Sequence, residues 1–294
     1  MKVRIYAPHI NKPEFIRFQL ASIKAHVKDD WEYIVVNDAV NEPIIYNLLE
    51  SNMREIITAT SKELGVQCLE FPQELHEQRD KIFPKLQFFG NNPSTRASDV
   101  YQWTLQQSLD FDGYVVILDG DMFFIQDVSL LEKMGSKHIA FLPQVREGIE
   151  YPWLNLVGFY PKRTPNIQDF SYDTGSVNGV ALDSGGLSYY YLQTNKKNLL
   201  IRYISHINLN VSEGTTCNIQ ELATKTGMDC ILPYADYPSD KENFTAFEYL
   251  DDCILHYGGG SNWHSDPVLF HQVKTKTMLE AFGQAMFFPT NNLV

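Results

Sequence analysis

Two carboxylates one residue apart, Asp119 and Asp121, close the apolar run Tyr114–Leu118, and the chain turns apolar again at Met122. A run of this kind reads as a strand buried on both faces, as inside a parallel sheet. Unpaired carboxylates in such surroundings are very costly, so two of them at the end of the strand call for a counter-charge. Gly120 between them lets the backbone turn, and the carboxyl edge of an open α/β sheet is where ligands bind. Hard cations such as Mg²⁺ and Mn²⁺ take oxygen ligands and complete their shells with water and substrate phosphates. Asp119, Gly120 and Asp121 are therefore candidates for a metal–diphosphate site. The simpler alternative for Asp-x-Asp is a turn or a helix cap.

Such a site needs a scaffold, and the front of the chain supplies one. Val3–Ala7, Trp31–Val36 and Val66–Phe71 read as strands, and Glu14–His26, Pro43–Leu64 and Ser98–Leu109 read as helices. Strand and helix alternate up to the Asp-x-Asp strand, which predicts a doubly wound, Rossmann-like, mostly parallel sheet flanked by helices. Further on, His138–Pro143 and Cys253–Tyr257 read as strands and Asn218–Gly227 as a helix, with another through Tyr189–Leu192. Tyr151–Gly186 is rich in Gly, Pro, Asn and aromatics and reads as too irregular for a βα repeat. No repeat or linker divides the chain. We therefore expect one domain over 1–294, with a nucleotide-binding lobe at 1–130 and an acceptor-binding lobe at 131–294.

Composition narrows the partners. The net charge of −12 argues against nucleic acid or an anionic membrane held by bulk electrostatics. An acidic chain that handles an anionic nucleotide needs a cation or a local basic cluster, in keeping with the metal reading. Cys68, Cys217, Cys230 and Cys253 form no CxxC pair and read as thiols of a reducing compartment. The opening residues contain no long apolar stretch, so the expectation is a soluble, cytoplasmic protein without a membrane span.

Other candidates follow from position. Ala7, Pro8 and His9, after the first strand, should line a nucleotide pocket by topology alone. Arg96 precedes the helix leading to the Asp-x-Asp strand and could neutralise a diphosphate, or be an ordinary surface arginine. Asp183, before Ser184-Gly185-Gly186, puts a carboxylate on an open turn. It could hold sugar hydroxyls or act as a general base, the alternative being a helix N-cap. Trp153, Tyr160, Tyr172 and Trp263 lie among polar residues; aromatic faces suit sugars, although aromatics are usually core.

The segment Val115–Asp121 with Ile125–Leu131 resembles the central region of GT-A fold glycosyltransferases that carry an Asp-x-Asp motif, in particular the glycogenin-type nucleotide-sugar transferases. Ile254–Trp263, with His256 and Gly258-Gly259-Gly260, is similar to that family's late motif, and Val177–Gly186 stands where such enzymes face donor sugar and acceptor. The resemblance implies a GT-A type fold with Asp119, Asp121 and His256 as metal ligands. It also implies that Gly259 and Gly260 lie against the diphosphate, where glycine N–H groups can approach phosphate oxygens. Asp38 would contact base or ribose, the alternative being a plain turn. Glu213, in Val211–Thr216, rivals Asp183 as the catalytic acidic residue. The activity implied is metal-dependent hexosyl or pentosyl transfer, with Mn²⁺ or Mg²⁺, from a nucleotide-diphosphate sugar such as a UDP-sugar to a carbohydrate or other hydroxyl acceptor. The alternatives are a sugar-phosphate nucleotidyltransferase and a non-catalytic carbohydrate-binding protein. The first usually has a Gly-rich loop after its first strand, whereas Pro8–Pro13 contains no glycine.

Overall fold

A computed structural model of the chain describes residues 1–39, 52–82, 93–208, 247–258, 274–276 and 278. Its front half alternates strand and helix up to β3 and then, among the described residues, sets two helices before β4: β1 (Val3–His9), α1 (Pro13–His26), β2 (Trp31–Asn37), α2 (Met53–Glu63), β3 (Gln67–Glu70), α3 (Glu74–Ile82), α4 (Pro93–Ser108) and β4 (Tyr114–Leu118). Pro13 occupies the first turn of α1, where its missing N–H costs nothing. β1 pairs in parallel with β2 on one side and β4 on the other, and β2 pairs in parallel with β3.

β4 shows why its run is uniformly apolar. Val116 and Leu118 pack with Ile16, Leu20 and Ile23 of α1, while Val115 and Ile117 pack with Val100, Tyr101 and Leu105 of α4. Each face meets a different helix layer, so no residue of the strand can be polar; each such side chain contributes about 1.5–3 kcal/mol through its burial.

Beyond β4 come β5 (Met122–Phe124), α5 (Leu130–Met134), β6 (Ile139–Arg146), β7 (Ile149–Phe159), β8 (Gly175–Val177), β9 (Val180–Leu182), α6 (Ser188–Asn195) and β10 (Ile201–Tyr203). The main sheet runs in the order β10-β6-β7-β4-β1-β2-β3 and is mostly parallel, with β7 antiparallel to both its neighbours. The expectation of irregular chain from Tyr151 fails over β7. Two features disguised the strand. Pro152 stands opposite Pro143, next to a bulge at Phe141/Leu142, where the ladder is already interrupted. Gly158 is a close approach, since any Cβ there would run into the Tyr114 hydroxyl on β4.

A second, antiparallel sheet follows the order β11 (His206–Asn208), β12 (Glu248–Leu250), β13 (Ile254–His256), β5. It seats on α1 through aromatic edges: Phe15 meets Phe123 of β5 at 5.4 Å and Tyr257 at 5.2 Å between ring centroids. The predicted helix at 218–227 lies outside the described residues.

Candidate metal and diphosphate site

The sheet fixes where the acidic turn lies. β1 leads towards β2 on one side while β4 lies on its other side, so strand order reverses between β1 and β4. Open α/β sheets bind ligands at such a switch point, outside the carboxyl ends of the strands, and Asp119-Gly120-Asp121 follows immediately after β4.

The turn is held from several directions. Asp119 N–H donates to the Asn155 carbonyl of β7 at 2.8 Å, and the Asp119 carboxylate accepts from Gly120 N–H at 2.8 Å. The buried Gln19 amide of α1 donates to the carbonyls of Asp119 at 3.0 Å and Met122 at 2.9 Å. The Gln19 oxygen in turn takes the Tyr33 hydroxyl proton at 2.6 Å, and His9 Nε2 lies 3.2 Å away. Gly120 must be glycine for space, because a Cβ would sit 2.5 Å from the Pro8 carbonyl oxygen and 2.9 Å from His9 Nδ1.

His256 arrives by strand pairing. It stands opposite Met122 in the β13–β5 ladder, and Tyr257 N–H donates to the Asp121 carbonyl at 2.9 Å. Residues more than a hundred positions apart are thus set side by side by backbone hydrogen bonds. His256 Nε2 lies 3.1 Å from Asp121 Oδ1. One ligand atom each from Asp119, Asp121 and His256 fall within 4.8 Å of one another.

The electrostatics fit a cation. Burial, reinforced by the neighbouring charge of Asp121, pushes the Asp119 carboxyl up to about 7, although His256 and Gly120 N–H pull the other way. Burial would lower the His256 imidazole, but Asp121 and Glu248 hold it well above its ordinary value. Two carboxylates crowded at one end of a buried strand, with a single imidazole between them and Glu248, form a donor set of two oxygens and one nitrogen. Such a set could hold a divalent cation, whose charge would relieve the repulsion between the two aspartates.

Ala7 and His9 are buried and Pro8 is half-buried. Burial lowers the His9 imidazole to about 4, so it is neutral and serves the Gln19 network. Asp38 is buried beyond β2, where Oδ1 accepts from Gln73 at 2.9 Å and pairs with His76 Nε2 at 3.0 Å. Its Oδ2 accepts from Arg96 at 3.0 Å. Burial would raise the Asp38 carboxyl, but Arg96 and His76 hold it below its ordinary range. Arg96 is thus neither a loose surface arginine nor an uncommitted one. His76 reaches on to Asp99 at 2.8 Å, and Arg79 joins Asp99 to Asp173, the latter at 2.5 Å. This chain of charges ties α3 and α4 to the segment before β8.

Asp183 is half-buried, and its carboxylate accepts from Ser184 N–H at 2.8 Å. It does not cap α6, whose N-cap is Leu187. The turn is tied in by Gly185 N–H donating to the Tyr172 carbonyl at 2.7 Å. Trp153 on β7 sets its ring edge-on to His256, 5.5 Å between centroids, whereas Tyr160 and Tyr172 are core. Glu213, Gly259, Gly260 and Trp263 lie outside the described residues, as do Cys217 and Cys230. The described cysteines, Cys68 and Cys253, are free thiols. Among the described residues, no helix is long and apolar enough to cross a membrane.

Three residues of the site escaped the sequence reading. Gln19, a fully buried amide among the apolar residues of α1, was detectable as a polar break in that face. His76 sits in α3, a helix too polar to register by periodicity. Glu248 gave no local signal at all.

No protein-family model and no curated protein matches the chain. Among solved structures it is similar to the apo form of mouse xyloside xylosyltransferase 1, at a TM-score of 0.40 and 9% identity, covering 78% of this chain and 92% of that one.

Proposed function

We propose that the chain is a divalent-metal-dependent glycosyltransferase, moving a sugar from a nucleotide-diphosphate donor, a UDP-sugar, to a hydroxyl of a glycan or other acceptor. The observation that carries the reading is the meeting of Asp119, Asp121 and His256 at the switch point of a mostly parallel sheet. A paired carboxylate and a distant histidine serve no purpose in a module that only binds sugar. A bound Mn²⁺ or Mg²⁺ supplies Lewis-acid stabilisation of the charge that develops on the leaving nucleoside diphosphate.

The chain's own residues do the rest. The backbone that carries the donor atoms is held in place, at Asp121 and His256 by the β5–β13 ladder and at Asp119 by Gln19 and Asn155. Pro8 and the backbone around it border the donor crevice. Asp38 and Arg96, bonded to each other beyond β2, would serve the base and ribose side. Asp183 holds donor-sugar hydroxyls or takes the proton of the acceptor hydroxyl, with Glu213 as its rival for that role. Gly259 and Gly260, outside the described residues, would give N–H groups to the diphosphate if the family resemblance holds there.

The test is UDP release from a panel of UDP-sugars with Mn²⁺, with and without chelator, for the wild type and Asp121→Ala. Transfer should vanish in the variant and with chelator. Unchanged turnover in Asp121→Ala would refute the assignment.

A further inference from the structure

We propose that Glu248 is a positioning residue that orients His256 towards the ion, with His206 steadying Glu248 in its turn; this rests on the metal-site reading above. Glu248 and His256 are direct cross-strand partners in the β12–β13 hairpin. The hairpin turn is specified locally: Asp251 and Asp252 both adopt φ 54°, and Cys253 N–H donates to the Leu250 carbonyl at 3.1 Å. Arg202 grips the Asp251 carboxylate, and Lys133 donates to the Asp251 carbonyl at 2.7 Å. The register that sets Glu248 beside His256 is thus held by charges outside the site.

Each Glu248 oxygen has one imidazole. Oε2 lies 2.5 Å from His256 Nδ1 and Oε1 lies 3.0 Å from His206 Nε2. An ionised carboxylate only accepts, so both facing nitrogens carry hydrogen. With Nδ1 occupied by Glu248, the nitrogen left facing Asp121 is Nε2. Rotating the ring would put a carbon against the carboxylate and leave a largely buried anion without its closest donor, while Trp153 blocks one side. Carboxylate partners on a ligating histidine set its tautomer and orientation, and losing one typically weakens metal binding by about 10- to 100-fold.

The experiment is a Mn²⁺ titration followed by electron paramagnetic resonance of the free ion, on the wild type, His256→Ala, Glu248→Gln and Glu248→Ala. Melting temperatures without metal and the ¹⁵N spectrum of the metal-free imidazoles accompany it. Affinity should fall about 10-fold in Glu248→Gln, whose amide oxygen still accepts from Nδ1 but whose NH₂ faces His206, and nearer 100-fold in Glu248→Ala. The hydrogen-bonded Nδ1–H resonance of His256 should persist in Glu248→Gln and disappear in Glu248→Ala. A purely structural role would lower the melting temperature and leave the affinity of folded protein unchanged, which overturns the proposal. Should Glu248→Ala not fold, wild-type affinity in Glu248→Gln overturns it equally. Failure of the wild type to bind Mn²⁺ removes the metal-site reading and the proposal together, whereas binding that His256→Ala abolishes and the Glu248 variants keep removes the proposal alone.

Discussion

Gly120→Ala tests whether the site is assembled by close approach of backbones. The new Cβ would lie 2.5 Å from the Pro8 carbonyl oxygen. Carbon–oxygen contacts settle near about 3.3–3.6 Å, so roughly 1 Å of displacement is required. Pro8 resists it: the residue is in register with Val36 of β2, and the next carbonyl, of His9, accepts from Asp38 N–H at 2.9 Å. The shift therefore falls on the Asp119–Asp121 turn, against the Gln19 and Asn155 hydrogen bonds. Overpacking of this order costs about 1–3 kcal/mol, and each kcal/mol lowers Tm by about 2–4 °C in a chain of this size. A carboxylate moved by about 1 Å also leaves the ligand cluster, and misplacement on that scale can cost about 100-fold in function. Thermal unfolding without metal and a Mn²⁺ titration read the two consequences separately. Because the obstacle is a backbone oxygen, no second side-chain substitution should rescue the variant. A Gly120→Ala protein with wild-type Tm and wild-type Mn²⁺ affinity would refute the steric reasoning.

Gln19→Leu removes the donor that serves the carbonyls of Asp119 and Met122. With about 1–3 kcal/mol for each buried acceptor left unmade, the metal-free protein should lose several degrees in Tm and bind Mn²⁺ more weakly; an unchanged Tm would count against the network. Asp119→Asn takes one of two crowded acids away, so calorimetry should find the metal-free protein more stable than wild type and the stabilisation by Mn²⁺ largely gone. A less stable metal-free variant would show that the aspartates do not repel. His76→Gln probes the charge chain through pH. Asp38 lies below its ordinary 3.8, so its contribution is complete above that value and lost as pH falls through the depressed one; His76 lies above its ordinary 6.5, so its contribution is complete below that value and lost as pH rises through the raised one. The Tm difference between wild type and His76→Gln should therefore be greatest between 3.8 and 6.5 and shrink in alkali; a difference independent of pH would mean that His76 acts through packing alone.

How far the sequence could be read follows from how local each constraint is. β4 was legible because both its faces meet helices, so every residue from Tyr114 to Leu118 had to be apolar and the carboxylates after it stood out. β1, β2 and α1 were legible for the same reason, their periodicity being dictated by the layers they separate. β7 was not, because Pro152 and Gly158 read as breaks until the bulge opposite Trp153 and the Tyr114 hydroxyl explain them. His256 could be suspected from the glycines after it, but its partner Glu248 could not. That pairing depends on a turn built from Asp251 and Asp252 in left-handed conformation, a choice open to aspartate yet far commoner for glycine or asparagine. The turn in turn relies on Arg202 and Lys133, which come from β10 and α5. Information of this kind is carried by register across strands. The same holds for the whole centre: Asp121 and His256 meet because Met122 and His256 share a rung of the β5–β13 ladder. A one-residue slip there would turn His256 to the opposite face of the sheet, towards the aromatic cluster of Phe15, Phe123 and Tyr257. The apolar contacts of Phe15 with Phe123 and Tyr257 therefore help to hold the register that sets the ligand geometry.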